Sequence, residues 1–239
     1  MAKKTKSKAK SKTQKRPFHV RFRRIFWRFV AVCLLIPVLL TVLYAFINPP
    51  TAPYMFGEAR RLGGIDRAWV DIEDIAPVMA RSAVAAEDAN FCLHWGLDLK
   101  AIQGALDAGG AGGASTISQQ VVKNVYLWHG RSWSRKALEA IWTPLTEAIW
   151  TKRRIIELYL NIAEFDEGVF GVQAAAQHYF GVDAANLTAV QSARLAAILP
   201  APKVRSASNP SNSVRRRASG ILDGAATILA DGRADCFGR

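Results

Sequence analysis

Glu87 and Asp88 stand together at the end of an apolar run, directly after Ala83, Val84, Ala85 and Ala86. A carboxylate among apolar neighbours is costly to ionise, so its pKa rises and it can act as an acid or base near neutral pH. After a glycine-rich break at residues 109–113 comes a second polar set, Ser115-Thr116-Ile117-Ser118-Gln119-Gln120, which leads to Lys123-Asn124. A helix that opens on Ser and Thr presents unbonded backbone N–H groups to an anion. Thr116, Gln120, Lys123 and Asn124 fall on one face of such a helix, and Gln119 lies four residues before Lys123. A third set follows: Arg131, Arg135 and Lys136, with Glu139 one turn on. Cations at a helix start oppose the dipole, and a bound anion would relieve that conflict. The three sets together point to proton transfer beside a phosphate. Plainer readings stay open at each: an acid pair facing water, a solvated polar face, and an Arg135–Glu139 surface pair worth a few tenths of a kcal/mol. Lys152-Arg153-Arg154 reads as a solvated or membrane-surface face, and His94, His129 and His178 read as structural.

These residues need helices to hold them. Asp74 and Pro77 can open a helix that ends near Glu87-Asp88. Asp98 can cap a second to about Ala108, and Ser115 a third to about Asn124. Ser134 can start a longer one, in which Pro144 predicts a kink. Thr151 can cap a helix to Asn161. Residues 169–180, 188–199 and 213–230 complete the helical pattern. Strand alternation is scarce. Residues 49–66, with Pro49, Pro50, Pro53, Gly57, Gly63 and Gly64, read as a linker or extended lead-in.

The charge of +13 over 239 residues is uneven: residues 1–28 hold 12 of the 32 Lys and Arg and none of the 19 acids. The rest of the chain is close to neutral. Residues 29–48 then carry no charge across 20 positions, enough to span a hydrocarbon core about 30 Å thick. A basic tail before such a run points to anionic lipid rather than nucleic acid, and places the tail in the cytoplasm with the remainder outside. The run is longer than a signal-peptide core, and residues 48–51 make a poor cleavage site, so an uncleaved anchor is expected. Cys92 and Cys236 fall in a compartment that permits a disulfide, but nothing in the sequence fixes their distance. No CxxC or His/Cys cluster indicates a metal site.

Five stretches in order resemble the signatures of the peptidoglycan glycosyltransferases (glycosyltransferase family 51). They are Glu87-Asp88-x-x-Phe91-x-x-His94-x-Gly96; Gly113-Ala114-Ser115-Thr116-Ile117-Ser118-Gln119-Gln120-x-x-Lys123-Asn124; Arg135-Lys136-x-x-Glu139; Tyr159-Leu160-Asn161 through Gly168 with Gly171-x-x-Ala174-Ala175-Ala176-x-x-Tyr179-Phe180; and Leu195-Ala196-Ala197-Ile198-Leu199-Pro200-x-Pro202 followed by Asn209-Pro210. The stretch Trp128-x-Gly130-Arg131-Ser132-Trp133 and the run Asn161-Ile162-Ala163-Glu164-Phe165 are similar to the monofunctional biosynthetic branch. About 30 residues follow Pro210, too few for the transpeptidase domain of the bifunctional relatives.

The resemblance implies a mainly α, lysozyme-like helical glycosyltransferase domain with a membrane-associated jaw, behind one N-terminal transmembrane helix. The expected division is a cytoplasmic tail at 1–28, the span at 29–48, the linker at 49–66, the catalytic domain at 67–232 and a C-terminal tail at 233–239. The implied activity is polymerisation of lipid II in the bacterial inner membrane, with the domain in the periplasm. Glu87 would be the general base and Glu139 a second essential carboxylate. Lys123, Arg135 and Lys136 would hold the diphosphate, while Asp88, Ser115, Thr116, Gln119, Gln120 and Asn124 shape the sugar and phosphate subsites. No cofactor is required, though a divalent ion (Mg or Mn) on the diphosphate is compatible. Partners would be lipid II, the growing glycan strand, membrane lipids and other cell-wall synthesis proteins. A membrane-anchored lysozyme-like hydrolase and a non-catalytic assembly scaffold are the rival readings.

Overall fold

The computed structural model describes residues 18–107, 109, 115–130 and 132–238. The first 17 residues of the basic tail, residues 110–114 of the glycine-rich break, and Arg131 lie outside the described residues. The chain divides into two compact units, residues 1–40 and 41–239. The first holds most of helix α1 (Phe18–Tyr44). Its stretch Phe22–Tyr44 is long and apolar enough to cross a membrane, with little of it buried by protein. The helix begins earlier than the expected span and stops at Tyr44 rather than running to residue 48.

In the second unit the last turn of α1 is held by side chains of the domain. Trp150 Nε1 donates to Thr41 O at 2.7 Å, and Trp142 Nε1 donates to Thr41 Oγ1 at 3.2 Å. The Arg154 guanidinium donates to the carbonyls of Tyr44 and Ile47, which a helix end otherwise leaves unbonded.

The expected linker at 49–66 is corrected by the structure. Pro53 starts helix α2 (Pro53–Leu62), and Gly63, at φ 78°, ends it. The residues that looked like breakers are therefore the ends of a helix. Ala52 and Met55 pack into the core, which gives this helix its hold on the domain.

Strand β1 (Asp66–Arg67) follows, then helix α3 (Pro77–Glu87), α4 (Leu99–Asp107), α5 (Ile117–Tyr126), α6 (Trp133–Ile149) and α7 (Lys152–Ile162). Strands β2 (Glu164–Asp166) and β3 (Val169–Phe170) lead to α8 (Val172–Phe180), α9 (Ala189–Ile198) and α10 (Asn212–Ala230). The sheet order is β1-β3-β2, with β3 parallel to β1 and antiparallel to β2. The helix expected over 169–180 thus loses its first residues to a strand. Gly171 makes the switch at φ 85°, where a Cβ would stand 3.0 Å from Asn161 O. Helix starts also move by a residue or two: the caps are Thr116 and Ser132, not Ser115 and Ser134. Helix α6 carries Pro144 inside its span.

Two groups of helices form the core. Helices α3, α9 and α10 pack together, and α5 packs against both α6 and α7. Met79, Val84, Phe91, Ile117, Val121, Ile156, Leu158 and Leu195 are fully or almost fully buried, each such side chain contributing about 1.5–3 kcal/mol. The C-terminal tail expected at 233–239 is part of this body. Phe237 is buried beside Phe91, Arg153 donates to the carbonyls of Phe237 and Gly238, and Cys236 is joined to Cys92 by a disulfide.

That bridge closes a loop of 144 residues, where chain-entropy reasoning predicts large stabilisation. Replacing both cysteines by Ala should lower stability by about 4–5 kcal/mol, read as a drop in Tm that wild type reproduces only with reductant.

Candidate functional site

The base proposed from sequence sits at the last residue of α3. Glu87 is largely buried, and burial raises its carboxyl pKa above the ordinary value; Gln120, Arg217, Lys123 and Arg205 oppose the rise. Both oxygens are held. Gln120 Nε2 donates to Oε2 at 3.0 Å, and Arg217 Nη2 lies 3.4 Å from Oε1. Beyond Gln120, the Tyr159 hydroxyl reaches Gln120 Oε1 at 3.5 Å.

Asp88 is placed differently. It is buried, its Oδ1 meets His94 Nε2 at 2.8 Å, and its Oδ2 accepts the Ile117 backbone N–H at 3.0 Å. Ile117 is the first residue of α5, so Asp88 is itself an anion at that helix start, favoured by both the orphan donor and the dipole. The sequence offered those N–H groups to an external anion, and the structure corrects this. Thr116 and Gln119 complete a capping box, with the Gln119 N–H donating to Thr116 Oγ1 and the Thr116 N–H donating to Gln119 Oε1. The Thr116 hydroxyl also donates to Gly96 O at 2.6 Å. Asp88, Thr116 and Gln119 therefore fix the frame, joining the loop after α3 to α5.

Gly96 shows how tight that frame is. It sits at φ 78°, and a Cβ there would run into Thr143 and Glu147. Glu147 accepts from Ser118 Oγ and, at 2.8 Å, from Lys152 Nζ, whose ammonium also donates to His94 O. His94, read as structural from the sequence, joins this frame through its ring and its carbonyl.

The cationic set gathers around Glu139, which is 3% exposed. Arg135 pairs with Glu139 Oε1, and Lys136 Nζ lies 3.1 Å from Oε2. This pair is not the surface contact of the plainer reading, because the acid is buried. It also replaces the external anion expected at the start of α6 with an internal one. Lys136 donates to Ser115 Oγ at 2.9 Å as well. Burial and the charges of Arg135 and Lys123 lower the pKa of Lys136. Burial and Arg135 lower that of Lys123, while Glu87 raises it. Lys123 thus feels the charges of both Glu87 and Arg135. Two cations pair with Glu139, and the third, Lys123, lies between the charges of Arg135 and Glu87.

Gln120, Lys123, Asn124 and Tyr159 line one side of an open groove of about 360 Å³, and Tyr54, His129, Glu164 and Lys203 are on its wall. Sequence reasoning did not select these last four. Tyr54 lay in the supposed linker. It stacks on His129 with centroids 3.6 Å apart and donates to Glu164 Oε2 at 2.7 Å; burial, then the bond to Glu164, pushes its hydroxyl up to about 12. Burial, with Lys123 and Arg135, brings His129 down to about 4, so it is neutral and its Nε2 faces Asn124 Oδ1 at 3.2 Å. Lys203 pairs with Glu58 and Glu164. Its place after Pro202, inside the fifth signature, was the available signal. Arg217 was also missed; the run Arg215-Arg216-Arg217 was its only trace. Ser132, Trp133, Arg135 and Lys136 line a second depression of about 330 Å³. Among the described residues no group of three His, Cys, Asp or Glu side chains is placed to hold a metal ion.

A transglycosylase family model matches residues 57–226. A biosynthetic peptidoglycan transglycosylase from Jannaschia sp. (strain CCS1) is 63% identical over 196 residues, covering 82% of this chain and 82% of that relative. Relatives with the same description are 47% identical in Caulobacter vibrioides (84% of this chain, 89% of the relative) and 44% identical in Rhodospirillum centenum (85% and 90%).

The frame has a direct test. Asp88→Ala would leave the Ile117 N–H and the His94 ring without their buried partner, and should destabilise the domain by roughly 2 kcal/mol. Chemical denaturation of the detergent-solubilised protein measures this; an unchanged midpoint would contradict the structural role of Asp88.

Proposed function

Because the chain belongs to the transglycosylase family, we propose that it polymerises lipid II into linear β-1,4 glycan strands and releases the lipid diphosphate. The observation that carries this reading is the line of charge from a desolvated carboxylate, Glu87, through Lys123, to Arg135 and Lys136 around the buried Glu139. The two ends suit the two halves of a displacement at an anomeric carbon.

At one end, a sugar hydroxyl of the acceptor forms the new C–O bond and gives its proton to Glu87. A positioned base is worth typically ~10²–10⁴ in rate, and burial raises the carboxylate's proton affinity towards that task. At the other end, the bond between the anomeric carbon and the diphosphate breaks, and the electron pair leaves with the phosphate. Lys123, Arg135 and Lys136 stabilise the charge that develops there. Arg135 can grip two phosphate oxygens at once, while the lysines act as point charges. Glu139 keeps Arg135 and Lys136 in place between turnovers. One direct displacement inverts an α-linked donor to a β product. The described residues offer no dedicated metal cluster, so an Mg or Mn ion would be held by diphosphate oxygens.

The lipid tail of the substrate fits an anchored enzyme. The apolar helix Phe22–Tyr44 suits a membrane span, and the basic tail before it favours a cytoplasmic N-terminus. The Cys92–Cys236 disulfide suits an oxidising periplasm. Helix α4 has no buried residue, and Leu93, Trp95, Leu99 and Leu106 around it are each about 70% exposed. Such a strip supports the reading of a jaw that meets lipid.

Glu87→Gln should abolish glycan formation from lipid II, by at least ~10²-fold, in a gel assay of the detergent-solubilised protein. Burial raises the folded-state pKa of Glu87 above its unfolded value, so ionising it costs stability once the pH exceeds the ordinary carboxylate range. The amide removes that cost, so Tm at neutral pH should hold or rise. Undiminished glycan yield would refute the assignment of the base; shortening of preformed glycan without polymerisation would favour the hydrolase. For wild type, the rate should fall as pH drops through the raised pKa of Glu87.

Lys123→Ala should cost ~10²–10³-fold in turnover with little change in Tm, since a half-buried ammonium with a lowered pKa adds little to stability. A lower Tm with normal turnover would make Lys123 a structural cation instead.

A further inference from the structure

Helix α10 lies outside the residue types first associated with the chemistry, yet it touches the base. Arg217 Nη2 donates to Ala86 O at 3.2 Å and lies 3.4 Å from Glu87 Oε1. Ala86 is in the last turn of α3, where carbonyls lack helical partners. One guanidinium therefore caps the helix end and meets the carboxylate that the helix presents. The other oxygen, Oε2, is held by Gln120 of α5. Each oxygen of Glu87 is gripped by a different helix.

The approach of α10 to α3 is set by a small residue. Gly224 is seven residues, two turns, beyond Arg217, and so on the same face. A Cβ at 224 would stand 3.2 Å from Ala85 Cβ. The two helices pack closely here, and Arg217 reaches Glu87 from a fixed base.

We propose that Arg217 is a positioning residue for the base: with Gln120 it fixes the orientation of the Glu87 carboxylate, and it keeps a positive charge beside it so that the base stands ionised when the acceptor arrives. This rests on the assignment of Glu87 as general base. The other charged groups that act on Glu87 are Lys123 of α5 and Arg205, from the segment before α10. Tyr159 of α7 feels Glu87 but is buried, with its pKa raised well above the ordinary value, so it carries no charge. Asp88 is already engaged with His94 and the Ile117 N–H. Lys123 faces the proposed diphosphate and Arg205 makes no direct bond to Glu87 among the described contacts. Arg217 is the cation in contact with the carboxylate itself.

The test is the pH profile of lipid II polymerisation by the full-length protein in detergent, for wild type, Arg217→Ala, Arg217→Gln and Arg217→Lys. Losing the cation favours the protonated, neutral acid, so the acid limb should move to higher pH. We expect a shift of about one unit in the Ala and Gln variants, hence about tenfold slower polymerisation on that limb, with most of the alkaline plateau retained. Arg217→Lys should keep its limb near wild type. An unmoved limb in Arg217→Gln, or an equal shift in Arg217→Lys, overturns the proposal. Melting curves identify a variant that fails to fold; if Ala does, the Gln and Lys pair decides. Wild type that makes no glycan would overturn the assigned activity and this proposal together. Active wild type with an unmoved limb in Arg217→Gln overturns the role of Arg217 alone.

Discussion

A carboxylate that is to accept a proton must be taken out of water without being abandoned there. In water it is too weak a base at neutral pH; fully buried and unpaired, it would simply stay protonated. Glu87 is held between these limits. Burial at the end of α3 raises its proton affinity, and the Gln120 amide of α5 and the Arg217 guanidinium of α10 hold it back. Much of the surrounding architecture serves this balance. The Asp88 carboxylate, one residue on, ties the end of α3 to the start of α5. The disulfide and Phe237 pin the turn that follows.

The cationic side follows the opposite logic. Lys123, Arg135 and Lys136 crowd one another, and burial disfavours the charge of both lysines. Glu139 relieves part of the repulsion but not all of it. What remains is mutual repulsion among the cations, seen in the lowered pKa of both lysines. Such unrelieved charge is a cost to the folded chain alone, and it is the kind of local inconsistency that functional sites retain.

Much of the fold was legible in the sequence because its helices carry their own punctuation. Thr151 caps a helix where its side chain said it would, and the helix expected from residue 188 starts there, on a Thr188 cap. The failures share a cause. Pro53 and Gly63 were read as breakers within a linker, since a helix only ten residues long, with two buried residues, leaves almost no periodic trace. Gly171 separates a strand from a helix, and its positive φ is dictated by the nearby Asn161 carbonyl, a neighbour that only the folded chain supplies. In the site, residue type and spacing drew Glu87, Lys123 and Arg135 as candidates, and the family resemblance added Glu139. Residue type did not separate Asp88, Thr116 and Gln119, which hold the frame, from groups that face the groove. Tyr54, His129, Lys203 and Arg217 reach the site from distant segments, and no local spacing announces them.

Helix α10, packed on α3, comes from the far end of the chain. Its Arg217 meets an acid 130 residues earlier in the sequence, while the Gln120 contact comes from only 33 residues away. Loosening α10 from α3 would therefore withdraw the cation and leave the Glu87 carboxyl desolvated, with a neutral amide as its remaining contact among the described ones.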